Sequence, residues 1–151
     1  MGDECTHRAV KILGLHHIAF AHGSGTETVD ALAALLDLEP DHVEDGDGFI
    51  ERMLTLEDGA HIQTLEASGP GVVDDFVGRR GSALHHIALK VDDVAAAVRE
   101  LKRRGANLVD QEPRSGGMGT RIAFVHPRSF GGLLVELVEE TGEDCGPAEP
   151  P

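Results

Sequence analysis

The pentapeptide Leu-His-His-Ile-Ala occurs twice, at Leu15–Ala19 and again at Leu84–Ala88, so this chain must build the same local structure in two places. The sequence downstream of each copy is also repeated in kind. After the first, Ser24 with Glu27 three residues on reads as a capping box, and Val29, Leu32, Ala33 and Leu36 make a helical stripe that ends before Pro40. After the second, Asp92 or Asp93 is the N-cap, Val94, Ala97, Val98 and Leu101 are the stripe, and Gly105 is the stop. Each helix is followed by three short strand-like runs: "DHVED", "FIERMLTL" and "AHIQTLE" in the first half, "ANLVDQ", "TRIAFVH" and "LLVELVE" in the second. The pattern is βαβββ written twice, an α+β chain in one domain. Module one covers 12–66 and module two 83–140, joined by a connection over 67–82 with a helical turn around Val72–Val77. A Pro/Gly-rich polar tail at 141–151 is expected to be disordered.

A chain of 151 residues, 40% of them hydrophobic, can bury one core. No run reaches the roughly 18 apolar residues of a membrane span, and "MGDECTHRAV" has no apolar signal region. A soluble, cytoplasmic protein without a membrane partner is expected. Cys5 and Cys145 have no metal-ligand spacing and read as incidental thiols. The net charge of −14 excludes nucleic acid as a partner, since a phosphate backbone requires a basic face. Ten of the 13 basic residues nevertheless fall between Arg79 and Arg128, against five acids, so a small anionic ligand would favour the second half.

Side chains alternate along a strand, which puts Leu15, His17 and Ala19 on one face and His16, Ile18 and Phe20 on the other. The second copy divides in the same way, with His86 and Ala88 opposite His85, Ile87 and Leu89. The faces bearing Ile18, Phe20, Ile87 and Leu89 are apolar enough to lie under helices, which leaves His17 and His86 on the opposite, open face. His16 and His85 then point to the helix side and are expected to bond to backbone. Gln63 in "HIQTL" and Glu136 in "LLVELVE" each interrupt an apolar strand. A carboxylate in such a run is costly to bury without a partner, and a cation is one. Two imidazoles, a carboxylate and an amide oxygen form a mixed N/O set suited to a divalent metal with open positions. "RSGGMG" at 114–119 has no phosphate-loop spacing and reads as a turn, and His7, His22, His42, His61 and His126 join no constellation.

With these segments in order, "LHHIAFA", "GFIERML", "AHIQTLE", "LHHIALKVDDV", "EPRSGGMGTRIAFVHPRSFGG" and "LLVELVE", the chain resembles the vicinal oxygen chelate superfamily, and within it the methylmalonyl-CoA epimerases. The resemblance covers about residues 12–140. It implies two βαβββ modules forming a cupped mixed sheet around a metal site. The implied metal ligands are His17, Gln63, His86 and Glu136, and the implied proton-transfer base is Glu51 in "GFIERML". It further implies Glu136 as the second proton carrier, a divalent cation such as Co, Mn, Ni, Zn or Mg, an acyl-CoA substrate and a homodimer.

That chemistry suits the residue types. Epimerising a 2-methylmalonyl thioester means removing a proton flanked by two carbonyl groups and returning it to the other face. A metal chelating one oxygen of each would stabilise the enolate. Glu51 shares its strand face with Phe49, Met53 and Thr55, apolar enough to raise its pKa toward neutrality. A glyoxalase-type isomerase or an Fe(II) dioxygenase using His17, His86 and Glu136 is the alternative on the same scaffold, followed by a metal-free small-molecule-binding protein. Gln63 as a fourth ligand disfavours the oxygenase by filling a position oxygen would need.

Overall fold

A computed structural model describes residues 10–141. Cys5, His7, Cys145 and all but the first residue of the expected tail lie outside the described residues. The described residues fall into two compact units, one formed by Leu15–Ala88 and the other by residues 10–14 together with 89–141.

The unit holding both Leu-His-His-Ile-Ala segments contains β1 (Ile12–His22) from Leu15 on, α1 (Glu27–Leu36), β2 (His42–Asp45), β3 (Phe49–Thr55), β4 (His61–Ala67), α2 (Val72–Arg80) and β5 (Ala83–Val91) up to Ala88. Its strands run in the order β2-β3-β4-β1-β5. β1 pairs with β4 in parallel, whereas β4 with β3 and β3 with β2 are antiparallel. Register partners share a face, so the rows across the sheet can be read directly. One row is Thr55, His61 and His17; the next is His42, Met53, Gln63 and Ala19; the third is Glu44, Glu51, Leu65 and Ala21.

The connection between the halves is more than one turn. Its nine residues Val72–Arg80 form a full helix, and Val73 is buried with Ala19, Ala21, Leu65 and Ala67, with Phe49, Phe76 and Val77 packed around them. By register, these are residues of the His17 face. The helix therefore covers one end of the face expected to be open, because Val73, Phe76 and Val77 supply an i, i+3, i+4 apolar stripe that must be buried somewhere. Gly48 fixes the entry to β3: its φ is +80° and a Cβ there would come within 2.5 Å of the Pro70 carbonyl oxygen, which only glycine avoids.

α1 begins at Glu27, with Thr26 rather than Ser24 at the N-cap and no side-chain cap. The expected capping box does not form, because the helix starts at Glu27 and leaves Ser24 two residues before the cap; the Thr26 hydroxyl donates to Asp30 Oδ2 at 2.8 Å. Of its stripe only Val29 is buried, and Leu36 is exposed.

The second unit carries α3 (Val94–Arg103), β6 (Arg114–Ser115), β7 (Thr120–Val125) and β8 (Val135–Glu140), with the strands ordered β8-β7-β6 and antiparallel throughout. Asp93 caps α3 by accepting from Ala96 N at 3.0 Å, and Val94, Ala97 and Val98 are buried as the stripe requires. Gly105, at φ +81°, ends it. The expected strand at "ANLVDQ" does not form beyond a single bridge from Leu108 to Val125. Both Val109 N and Asp110 N turn onto Phe124 O, and the Asp110 carboxylate accepts from Phe124 N at 2.8 Å, so a side chain takes the place of a ladder. The module's first strand after α3 is instead β6, in the stretch read as a turn. Among the described residues no helix is long and apolar enough to cross a membrane.

Candidate metal and proton-transfer site

His17 and His86 come from the neighbouring strands β1 and β5, and both are buried. Their rings lie 5.2 Å apart at 76°, with Nε2 to Nε2 at 3.1 Å. Two nitrogens each about 2.1 Å from one cation and at right angles to each other would be about 3.0 Å apart, so the separation matches a pair of adjacent ligands.

Gln63, one row along from His17, is buried, and its Oε1 has no hydrogen-bond partner among the described residues. An amide oxygen in that state lacks the donor or cation it would otherwise have in water. The Gln63 amide lies beside the Glu51 carboxylate, its diagonal neighbour across β3 and β4, and lowers that carboxyl's pKa. The unsatisfied oxygen and the converging imidazoles fit a divalent cation by the chemistry of the donors alone. Glu136, buried on β8 and in register with Phe124, belongs to the second unit.

Glu51 is held above the ordinary carboxylate value of 4.5. Burial is the largest cause and raises it; the Gln63 hydrogen bond opposes, the Glu44 charge adds to the rise, and His17 and His42 oppose it. The burial follows from register, since Glu51 sits in the row of Leu65 and Ala21, beside the cluster that α2 completes. The structure thus brings His17, Gln63, His86 and Glu51 together within one unit.

Three features escaped the sequence reading. His42 and Glu44, whose Nε2 and Oε2 lie 3.3 Å apart on β2, face Glu51; their alternation on a strand pairing with β3 was the available signal. α2 closes one end of the face, signalled by the Val73/Phe76/Val77 spacing. Finally, His16 and His85 each set Nδ1 against the Nδ1 of the next histidine, at 2.7 Å and 2.8 Å. Among the described residues, five of the ten basic residues between 79 and 128 are ion-paired: Arg103 and Arg104 with Glu100, Arg114 with Asp110, Arg121 with Glu139 and Lys90 with Glu140.

The pattern of the glyoxalase/bleomycin resistance protein/dioxygenase superfamily matches residues 10–124. The chain belongs to this superfamily. A superfamily member similar to it is the mitochondrial methylmalonyl-CoA epimerase of Dictyostelium discoideum, 30% identical over 132 residues that cover 83% of this chain and 78% of that one. An uncharacterized Bacillus subtilis protein is 38% identical over 82 residues, and the chain spans only 57% of that relative's length. Among solved structures, a methylmalonyl-CoA epimerase in complex with methylmalonyl-CoA and NH4+ matches with a TM-score of 0.80 at 31% identity, over 87% of this chain and 97% of that one. The superfamily's α+β fold of repeated βαβββ modules is the one expected from the doubled strands.

Proposed function

We propose that this protein is a metal-dependent epimerase that interconverts the two C2 epimers of methylmalonyl-CoA. The observation that carries the reading is the contact set around Gln63: an unsatisfied buried oxygen beside the His17–His86 pair, and an amide that holds a carboxylate of raised pKa. His17, Gln63 and His86 would hold the cation, with Glu136 assigned as the remaining ligand from the sequence resemblance and from the cost of burying a carboxylate. A bound cation would supply Lewis-acid withdrawal of charge from the two carbonyl groups flanking C2.

The rest of the chemistry belongs to side chains. Glu51, kept basic by burial and by Glu44, takes the C2 proton on one face, and the Gln63 amide holds its carboxylate in position for that transfer. The opposite face needs a second carrier, the role assigned to Glu136. α2 excludes water at one end of the face, which keeps the carbanionic charge next to fixed dipoles rather than solvent. The substrate is an acyl-CoA, the compartment assigned is the cytoplasm, and a homodimer is the assembly the resemblance implies.

The test monitors a single C2 epimer of methylmalonyl-CoA by circular dichroism, with the wild-type chain and with His86→Ala, before and after chelation. A change in the C2-dependent dichroism that disappears with chelator, returns with a divalent cation and is absent in the variant supports the reading. Inversion at an unchanged rate in His86→Ala contradicts it.

A further inference from the structure

The doubled histidine is unexplained by metal ligation, which uses only the second residue of each pair. In both repeats the first histidine makes the same contact. The rings of His16 and His17 lie 5.0 Å apart at 74°, with Nδ1 to Nδ1 at 2.7 Å. Those of His85 and His86 lie 5.1 Å apart at 78°, with Nδ1 to Nδ1 at 2.8 Å. Neighbouring rings hold the first histidine of each pair in turn: His61 at 5.2 Å from His16, and Phe76 at 4.8 Å from His85. With the His17–His86 contact, the four imidazoles form a chain of three nitrogen–nitrogen contacts.

Counting protons fixes the roles. Each contact needs one proton between its two nitrogens, and each neutral ring carries one. Without a cation, one of the two facing Nε2 atoms supplies the proton of the central contact. With a cation, both Nε2 atoms must present lone pairs, so His17 and His86 must each be protonated at Nδ1. At such short separations the nitrogen opposite must then be bare. No other neutral arrangement both satisfies the two Nδ1 contacts and frees both Nε2 atoms.

Resting on the metal reading above, we infer that His16 and His85 are positioning residues: each accepts the Nδ1–H of the histidine that comes after it, which fixes that ring's tautomer with Nε2 toward the cation. A hydrogen-bond acceptor behind a ligating imidazole also makes it a better donor, and loss of one typically weakens metal binding 10- to 100-fold. Here the acceptor is supplied by the adjacent residue of the same strand, which is why the motif carries two histidines.

The experiment is a pair of long-range 1H–15N correlation spectra of the full chain labelled at histidine nitrogen, before and after one equivalent of Zn2+, with His16→Gln and His85→Gln used for assignment. In the zinc-loaded protein, His17 and His86 are expected to be protonated at Nδ1 and metal-bound at Nε2, and His16 and His85 to be protonated at Nε2 alone. A proton on Nδ1 of His16 or His85 in that state overturns the inference and leaves the metal site standing. If zinc changes nothing at His17 and His86, the metal reading fails and the inference with it. Zinc affinity, measured by competition with a chromophoric chelator, should fall about 10- to 100-fold in His16→Phe and His85→Phe. His16→Gln and His85→Gln, whose amide oxygens can accept the same hydrogen, should recover most of it. Equal weakening in the Gln and Phe variants overturns the inference, and where a Phe variant does not fold, the wild-type spectra decide.

Discussion

Arg52 Nη1 donates to Glu66 Oε2 at 2.6 Å, on the face of the β3–β4 pair opposite His17 and Gln63. Glu66 Oε1 also accepts from Gly25 N at 2.8 Å, so one buried carboxylate ties the loop before α1 to the strand that carries Glu51. Burial alone would raise the Glu66 pKa; the hydrogen bonds from Gly25 and Arg52 and the Arg52 charge outweigh it, and the carboxyl is held below its ordinary value of 4.5.

A depressed folded-state pKa contributes stability that is complete above the unfolded value and is lost as pH falls through the folded one. The wild-type unfolding free energy should therefore decline as pH drops below about 4.5, and Glu66→Gln should flatten that decline. At neutral pH the same variant should lose about 3 kcal/mol, since it leaves the Arg52 charge buried and uncompensated. Urea unfolding across pH checks both. An unchanged acid limb in Glu66→Gln would assign the acid sensitivity to another group.

Val73 is the buried anchor of α2 against Ala19, Ala21, Leu65 and Ala67. Val73→Ala should cost about 2 kcal/mol, and the end of the sheet face beside Glu51 should admit more water. Because Glu51's raised pKa arises first from burial, the acid limb of kcat/KM should move down in this variant. A stability loss without that movement would separate α2 from the site.

Glu44 and Glu51 are register partners, and the Glu44 charge adds to the rise in Glu51's pKa. Glu44→Gln should lower the acid limb of kcat/KM. The stability sign is opposite to that of Glu66. A carboxylate whose folded pKa is raised favours the fold most below the unfolded value, and that contribution is lost as pH rises through the folded one. Glu51→Gln should thus stabilise the metal-free chain at neutral pH relative to wild type, by a margin that vanishes below about 4.5. Thermal unfolding of the chelated proteins at several pH values measures it.

The legible parts of this molecule were those with a local rule behind them. Strand alternation placed His17 with Ala19 and Glu51 with Phe49, Met53 and Thr55; Asp93 and Gly105 bracket α3 because capping is decided within four residues. α2 was underestimated because its stripe is only three residues wide, and its burial depends on the small side chains of Ala19 and Ala21, which come from another part of the chain. The strand expected at "ANLVDQ" failed for a related reason. "ANLVDQ" has a strand-like composition, but Asp110 satisfies Phe124 N with its side chain, and no propensity scale records that competition. The roles of His16 and His85 were missed because alternation sends adjacent side chains to opposite faces, and the rings meet only through their near-perpendicular tilt.

Epimerisation at this site depends on Glu51 removing the C2 proton, and isotope exchange reads that step directly. The metal-loaded chain is incubated with methylmalonyl-CoA in deuterated water and deuterium at C2 is counted, beside Glu51→Gln with the binding of a non-reacting thioester analogue measured in parallel. Wild type should exchange readily; the variant should exchange about 10²- to 10⁴-fold more slowly while binding the analogue with nearly unchanged affinity. Exchange by Glu51→Gln at the wild-type rate, or none by wild type, would contradict that role.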